Sequence, residues 1–228
     1  MNSNFIKNNN TKKILTQFNF KKLKDELREK GKNLNVHDKY KDLSKEELKN
    51  IQKSESIPVH VLLLNLAGDL NIGNMIRTSC VSGIEKVWIF GRRRYDRRSL
   101  VGSNNYIEIV SINGFKDDTI EYDTELLKEF LEINNFVPIY AEICDKSEKL
   151  GKFSWKEKIN NIVENNKKPL IVMGNENYGF TEDVIKIFDS VPYSFCVTIP
   201  QKGVIRSFNV SNALAIILWD MRKEMGWI

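Results

Sequence analysis

The chain has 228 residues, 41% of them hydrophobic and 10% aromatic, enough for one sizeable core with an extension of about fifty residues. It contains no run of eighteen apolar residues, and its amino terminus lacks the apolar segment of a signal peptide. We therefore expect a soluble, cytoplasmic protein with no membrane partner. Three cysteines, Cys80, Cys144 and Cys196, are odd in number and far apart in the sequence. This pattern argues against a disulfide framework and against a metal site of paired thiolates.

The net charge of +5 is distributed unevenly along the chain. Residues 1–54 hold 14 Lys and Arg against 7 Asp and Glu, an excess of +7, whereas residues 55–228 hold 21 against 23, a balance of −2. The lysines of the first segment could simply solvate a surface in a protein from an AT-rich genome. The segment GRRRYDRRS at 91–99 is different, because it uses arginine alone, whose planar fork suits phosphate and base stacking. Nucleic acid is the partner that these charges favour.

Residues 1–54 are predicted to form a basic helical extension. Apolar residues fall at helical spacing over 20–27, and Gly31 follows as a stop signal. A second helix is predicted to begin after Ser44, because Glu47 three residues later completes a capping box. Both helices are short, so we expect them to dock on the main domain or on RNA.

From residue 55 onwards the chain alternates between strand and helix patterns. Strands are predicted at IPVHVLLLN, KVWIF, NYIEIV, VPIYAEI, PLIVMG and FCVTIP, and helices at NMIRTSCVSG, TELLKEFLEIN, SWKEKINNIV, TEDVIKIF and NVSNALAIILWDMRKEM. This order predicts an α/β domain over 55–228, with a mainly parallel sheet and helices on both faces. Ligands of such sheets bind beyond the carboxyl ends of the strands. The loops AGDLNIGNMIRT, GNENYGF and QKGVIRSFNVS follow strands and form the candidate site.

Common catalytic and cofactor signatures are absent from the sequence. There is no GxGxxG after a strand and no GxxxxGK[ST], so neither a dinucleotide site of the usual kind nor a P-loop is predicted. Of the two histidines, His37 lies in the extension and His60 within a strand pattern, where we expect a packing role. Metal catalysis and a Ser-His-Asp triad are therefore poorly supplied.

Two of the loops allow a functional and a purely structural interpretation. In GNENYGF, the glycines allow close backbone approach beside the carboxylate of Glu176, which suits a polar ligand, although a tight turn before a helix capped by Thr181 would use the same residues. In QKGVIRSFNVS, Ser207, Asn209 and Ser211 each could cap the last helix. Capping needs only one of them.

Taken together, the three loops resemble a known family. The set Asn71, Gly73, Arg77 and Thr78, then Gly174, Glu176 and Gly179, then IPQKGVIRSFNVS, resembles the three ordered motifs of the SPOUT superfamily, in its TrmH branch of RNA 2'-O-ribose methyltransferases. The resemblance covers about residues 57–222. The third motif also looks like that of eukaryotic-type tRNA guanosine-18 methyltransferases.

The resemblance implies a fold, a cofactor and an assembly. It implies a carboxyl-terminal trefoil knot over about 171–222, a homodimer, and S-adenosylmethionine as the cofactor. The residues that match the cofactor-binding positions are Met173, Gly174, Ile199, Gln201, Val204, Ser207 and Phe208. No metal is implied.

The resemblance also implies catalytic and RNA-binding residues. The catalytic positions correspond to Arg77, Glu176, Ser207, Asn209 and Asn71. The arginine cluster matches the substrate-binding loop, so we expect RNA contacts from Arg92, Arg93, Arg94, Tyr95, Arg97 and Arg98. The short helical extension favours tRNA as the substrate, with ribosomal RNA as the alternative. A catalytically silent RNA-binding module on the same fold is the other alternative.

Overall fold

A computed structural model describes residues 35–65, 70–91, 95–116, 119, 121–175 and 179–228. The chain divides into two units, Met1–Leu43 and Ser44–Ile228. In the first unit, the described residues form a short 3-10 turn over Asp38–Tyr40, next to which Lys41 pairs with Asp38. The helix predicted over 20–27 lies outside the described residues.

The second unit contains seven strands and six named α-helices within the described ranges. In chain order they are α1 (Lys45–Ser54), β1 (His60–Asn65), α2 (Leu70–Val81), β2 (Lys86–Gly91), β3 (Glu108–Ile112), α3 (Thr124–Asn134), β4 (Phe136–Ala141), β5 (Glu148–Lys149), α4 (Trp155–Glu164), β6 (Lys168–Met173), α5 (Glu182–Ser190), β7 (Phe195–Thr198) and α6 (Val210–Met225). Two 3-10 turns, Arg98–Leu100 and Ser103–Asn105, separate β2 from β3.

The strands form one sheet in the order β3-β2-β1-β6-β4-β7-β5. All pairs of named strands are parallel, including the central pair in which Val61 lies opposite Ile171. The prediction of an α/β domain with a mainly parallel sheet is therefore confirmed. The order runs outward from β1 through β2 to β3, and β6 separates β1 from β4. The carboxyl ends of β4, β6 and β7 consequently lie side by side.

Alternate residues of the strands point into two separate cores, as the period of two requires. On one face, Val61, Leu63, Ile171 and their neighbours pack against α2, α4 and α6. On the other face, Leu62, Val172 and their neighbours pack against α3 and α5. Because both faces are covered, the central strands are largely apolar, which is why they appear as continuous apolar runs in the sequence.

Helix α1 begins as the sequence predicts. The Ser44 hydroxyl accepts the backbone N–H of Glu47 at 3.3 Å, and the Glu47 carboxylate accepts the N–H of Ser44 at 2.8 Å. Leu48 is buried, and the Gln52 amide donates to the carbonyl oxygen of Cys80 at 3.2 Å. Although the sequence grouped residues 1–54, the structure therefore packs this helix within the second unit.

Some local features differ from the sequence expectations. The strand predicted at NYIEIV starts later, at Glu108, because residues 103–105 form a 3-10 turn after Gly102, whose φ is +88°. The short strand β5 had no pattern to predict it. Cys144 and Cys196, 52 residues apart in the chain, lie with their sulfur atoms 3.7 Å apart. Distance along the sequence was a poor guide there, because Cys196 lies opposite Tyr140 on the neighbouring strand.

No helix within the described ranges is long and apolar enough to cross a membrane. In the same residues, no three His, Cys, Asp or Glu side chains group closely enough to hold a metal ion.

Candidate active site

An open cavity lies at the carboxyl ends of β4, β6 and β7. Its floor is formed by the residues that end these strands, and its rim by the loop 199–209 and the first turns of α6. This is the edge of the sheet where the sequence placed the candidate site. The wall combines apolar side chains with charged ones; its residues are Ala141, Glu142, Ile143, Met173, Gly174, Asn175, Gly179, Val197, Thr198, Ile199, Gln201, Arg206, Ser207, Phe208, Val210, Ala213 and Ile217.

The loop after β6 is closed by its own backbone. The N–H of Gly179 donates to the carbonyl oxygen of Asn175 at 2.8 Å, and the N–H of Asn175 donates back at 3.2 Å. A Cβ at position 174 would lie 2.9 Å from the backbone of Gly179, closer than real Cβ atoms come. Gly179 has a φ of +60°, which an L side chain rarely adopts. Both glycines of the motif are thus needed by the backbone, and the loop leads into α5, which Thr181 caps as predicted.

The first and third motifs meet through two asparagines. The Asn209 amide donates from Nδ2 to Oδ1 of Asn71 at 3.0 Å, although the two residues are 138 positions apart. The same Asn209 side chain caps α6, because its Oδ1 accepts the N–H and the hydroxyl of Ser211 at 2.9 and 2.6 Å. Of the three capping candidates in the sequence, Asn209 is therefore the one used. Its second hydrogen bond fixes the start of α6 against α2.

Gly73 brings the arginine segment against α2. A Cβ at this position would lie 2.1 Å from the Ser99 hydroxyl oxygen and 2.8 Å from the carbonyl oxygen of Asp96. Only a glycine allows the segment 95–100 to approach the helix this closely. Arg77, one helical turn further along the same face, is exposed beside that segment.

The described arginines of the cluster differ in their environment. Arg98 binds Asp96 through its guanidinium, with Nε 2.9 and 3.0 Å from the two carboxylate oxygens. These hydrogen bonds lower the pKa of the Asp96 carboxyl. Arg97 is exposed, and Tyr95 is half-buried against the core, where burial raises the pKa of its hydroxyl. The charge of Arg97 therefore faces solvent, whereas that of Arg98 is partly neutralised.

The structure brings most of the predicted cofactor residues together. Six of the seven lie on the cavity wall: Met173, Gly174, Ile199, Gln201, Ser207 and Phe208. The seventh, Val204, has a fully exposed side chain and is not among the wall residues. Glu176 and the arginines 92–94 lie outside the described residues. Asn71 and Arg77 lie on α2 and Asn209 caps α6, and none of the three is among the wall residues.

The sequence reasoning missed one wall of the cavity. Glu142 and Ile143, which follow β4, line it together with Arg206 from the loop after β7. The pattern VPIYAEI already predicted a strand, and its carboxyl end should have been treated as a fourth ligand-facing strand end, besides the three loops. Arg206 stands within the third motif but was not assigned a role.

The wall residues fit an adenosyl cofactor by their chemistry. Met173, Ile199 and Phe208 offer apolar surface for a flat ring, and Gly174 is also part of the wall. Glu142 and Arg206 supply one negative and one positive group for the polar ends of such a ligand. A ligand with an adenine ring, ribose hydroxyls and an amino acid end would find a partner for each part.

Solved structures with the same fold include RNA-modifying enzymes. The A. aeolicus TrmH/SpoU tRNA modifying enzyme matches with a TM-score of 0.57 at 20% identity, over 80% of this chain and 85% of that one. The SpoU methyltransferase AviRb from Streptomyces viridochromogenes, in complex with AdoMet, matches with a TM-score of 0.54 at 18% identity, over 75% and 58% of the two chains. At such identities these matches show the fold.

A curated relative shares part of the sequence. The tRNA (guanosine(18)-2'-O)-methyltransferase TARBP1 of Mus musculus is 37% identical over 57 residues, which are 25% of this chain and 3% of that protein. The family model of the SpoU rRNA Methylase family matches residues 58–219. This match spans all three motifs and confirms the family resemblance. The chain belongs to the SpoU rRNA Methylase family.

Proposed function

We propose that this protein methylates the 2'-hydroxyl of a ribose in tRNA, at guanosine 18, with S-adenosylmethionine as the methyl donor. The observation that carries the proposal is the cavity at the ends of β4, β6 and β7, whose wall includes six of the seven residues expected for the cofactor. The bond between Asn71 and Asn209 supports it, because it joins two of the motifs beside that cavity. The choice of tRNA rests on the partial likeness to the murine enzyme.

Methyl transfer to a ribose hydroxyl requires the protein to position the two reacting groups and to help remove the hydroxyl proton. S-adenosylmethionine, when bound, supplies a methyl group on a sulfonium that is a good leaving group. The protein must hold the ribose hydroxyl in line with that group and assist its deprotonation. Glu176, Ser207 and Asn209 are the side chains that we assign to shaping the loops around the reacting groups.

Arg77 is assigned to holding the RNA. A guanidinium stays protonated in proteins, so it is a poor acceptor for the hydroxyl proton. Its fork can bind a phosphate through two hydrogen bonds, and the exposed position of Arg77 leaves it accessible to the RNA. A phosphate oxygen or a polarised hydroxyl can then relay the proton away from the ribose. We assign the neighbouring cluster, in which Arg97 is exposed and Tyr95 is half-buried, to further RNA contacts.

Mapping of the methylated nucleotide tests the proposal. Purified protein is incubated with methyl-labelled cofactor and with total tRNA or ribosomal RNA, and the product is digested with alkali, which cannot cleave after a 2'-O-methylated ribose. We expect an alkali-resistant dinucleotide at position 18 of tRNA. Label in ribosomal RNA alone would support the alternative substrate. Absence of label despite cofactor binding would support the silent RNA-binding module.

Arg77 can be tested with matched variants. Arg77→Lys keeps the charge and loses the fork, so we expect turnover to fall at least tenfold, which corresponds to about 1.4 kcal/mol. Lys128→Ala removes a positive charge from exposed α3, on the opposite face of the sheet, and should leave turnover unchanged. Near-normal turnover by Arg77→Lys would contradict the assignment.

We also infer the knot and the homodimer that the family resemblance implies. The position of β6 between β1 and β4, and the return of α6 to the face that holds α2, support a knot over about 171–222. A knotted chain pulled apart between residues 57 and 228 would stop short of its contour length.

Trp219 is 59% exposed on α6 and Ile205 is 75% exposed on the loop before it, which supports a second copy as their cover. Sedimentation of wild type and of Trp219→Arg tests the dimer.

A further inference from the structure

We propose that Glu142 binds the ribose hydroxyls of the adenosyl cofactor and so selects a ribonucleoside ligand. The inference rests on the proposed function, since it concerns the same cavity. Glu142 belongs to none of the three motifs that carry the family resemblance. It is the one carboxylate among the described wall residues of the cavity.

The backbone of Glu142 is held by the sheet. It directly follows β4, and its N–H donates to the carbonyl oxygen of Val197 on β7 at 3.1 Å. The neighbouring strand positions Tyr140 and Cys196 are in register. The residue is therefore placed by a strand end, which holds a side chain more precisely than a free loop does.

The side chain is oriented by two backbone donors. Oε1 accepts the N–H of Ile143 at 2.8 Å, and Oε2 lies 3.4 Å from the N–H of Phe180, which it accepts. Oε2 also lies 2.6 Å from the point where a Cβ on Gly179 would be. The glycine of the second motif thus leaves room for this carboxylate, and the two donors fix its plane before any ligand arrives.

The remaining hydrogen-bonding capacity defines the ligand. An ionised carboxylate has about four lone-pair sites, two on each oxygen. One site on each oxygen is used by the backbone, so each oxygen can accept one further donor. Two adjacent acceptors in one plane match the two hydroxyls of a vicinal diol. Carboxylates bind nucleotide riboses in this way in other α/β folds, where they also sit beyond a strand end.

Arg206 is the one positively charged side chain among the described wall residues of the cavity. It comes from the loop after β7, whereas Glu142 comes from the end of β4. A guanidinium binds a carboxylate through paired hydrogen bonds. The amino acid end of the cofactor, which carries a carboxylate, therefore suits Arg206. The ribose diol offers two adjacent hydroxyl donors, which suit the two free acceptor sites of Glu142.

Binding measurements on nucleoside analogues test the proposal without turnover. Dissociation constants are measured by calorimetry for 5'-methylthioadenosine, which has the diol and lacks the amino acid end, and for its 2'-deoxy and 3'-deoxy analogues. Wild type should bind each deoxy analogue about tenfold or more weakly, since a hydrogen bond to a charged group is lost. Glu142→Gln, which keeps one acceptor oxygen and loses the charge, should weaken the parent compound and show a smaller loss than wild type with the deoxy analogues. Asp145→Asn, an exposed carboxylate three residues away, serves as the control and should behave as wild type.

The outcomes separate this proposal from the proposed function. If wild type binds the deoxy analogues as tightly as the parent, the assignment of Glu142 is overturned whether or not the variant folds. An equal penalty for the deoxy analogues in wild type and Glu142→Gln would also overturn it, because Glu142 would then only support the loop at Gly179. Failure of wild type to bind both S-adenosylhomocysteine and 5'-methylthioadenosine at millimolar concentration would instead refute the proposed function.

Discussion

Replacement of Gly73 by alanine measures how tightly the arginine segment packs against α2. In an exposed helix interior this change stabilises by about 1 kcal/mol, because alanine is the better helix former. Here the added Cβ would lie 2.1 Å from the Ser99 hydroxyl oxygen and 2.8 Å from the Asp96 carbonyl oxygen. The hydroxyl can rotate away, but the carbonyl belongs to the backbone, so the segment must move. Overpacking of this kind costs about 1–3 kcal/mol.

The two terms leave a net loss of about 0–2 kcal/mol in the free energy of unfolding for Gly73→Ala. For a domain of this size the midpoint of thermal unfolding should fall by up to roughly 8 °C. Gly203→Ala is the matched control, because a Cβ there would meet nothing within 4 Å and the loop is exposed. Ser99→Gly added to Gly73→Ala should recover part of the loss. A higher midpoint for Gly73→Ala than for wild type would refute the reasoning, since the helix term alone would then be acting.

Three further changes test other parts of the structure. Burial, and then the charge of Lys168, lower the pKa of His60 from 6.5 to about 4, so the folded state binds fewer protons than the unfolded state between these pH values. Roughly 3 kcal/mol of the free energy of unfolding that is present above pH 6.5 should therefore be lost as the pH falls to 4. In chemical denaturation, the free energy of unfolding of His60→Leu should depend less on pH than that of wild type. A cycle of Asn71→Ala, Asn209→Ala and the double variant should give a coupling of about 1 kcal/mol in urea unfolding, and strict additivity would contradict the bond between them. Gly179→Ala should abolish cofactor binding in calorimetry, because alanine would have to adopt the φ of +60° found at Gly179 and its Cβ would displace the Glu142 carboxylate. Unchanged affinity would count against that geometry.

The sequence predicted the fold better than the site. Both faces of the sheet are covered, so strands such as Lys168–Met173 appear as apolar runs between helices with clear caps, and Ser44 and Thr181 cap helices as expected. The strand order was not predictable, because parallel pairing depends on how crossovers pack and not on any local pattern. The contact of Asn71 with Asn209 is of this long-range kind.

The cavity wall at Glu142 is another feature that no local sequence pattern could predict. A carboxylate just after an apolar strand has no local signature that separates it from a solvated surface residue. Its role appears only when the glycine loop 37 positions later is seen to be packed against it. By contrast, the residues of the third motif could be placed at the cavity because they follow a strand directly and the family resemblance marked them.

The bond between Asn71 and Asn209 also bears on the order in which the site is assembled during synthesis. A ribosome adds residues from the amino terminus, so α2 emerges long before its partner at the start of α6 exists. The cavity needs residues up to Ile217, within the last helix. A nascent chain that has released only the strands β1 to β6 can form much of the sheet but has no complete pocket. Cofactor binding therefore requires that α6 has been synthesised and has packed, and not only the strands that precede it.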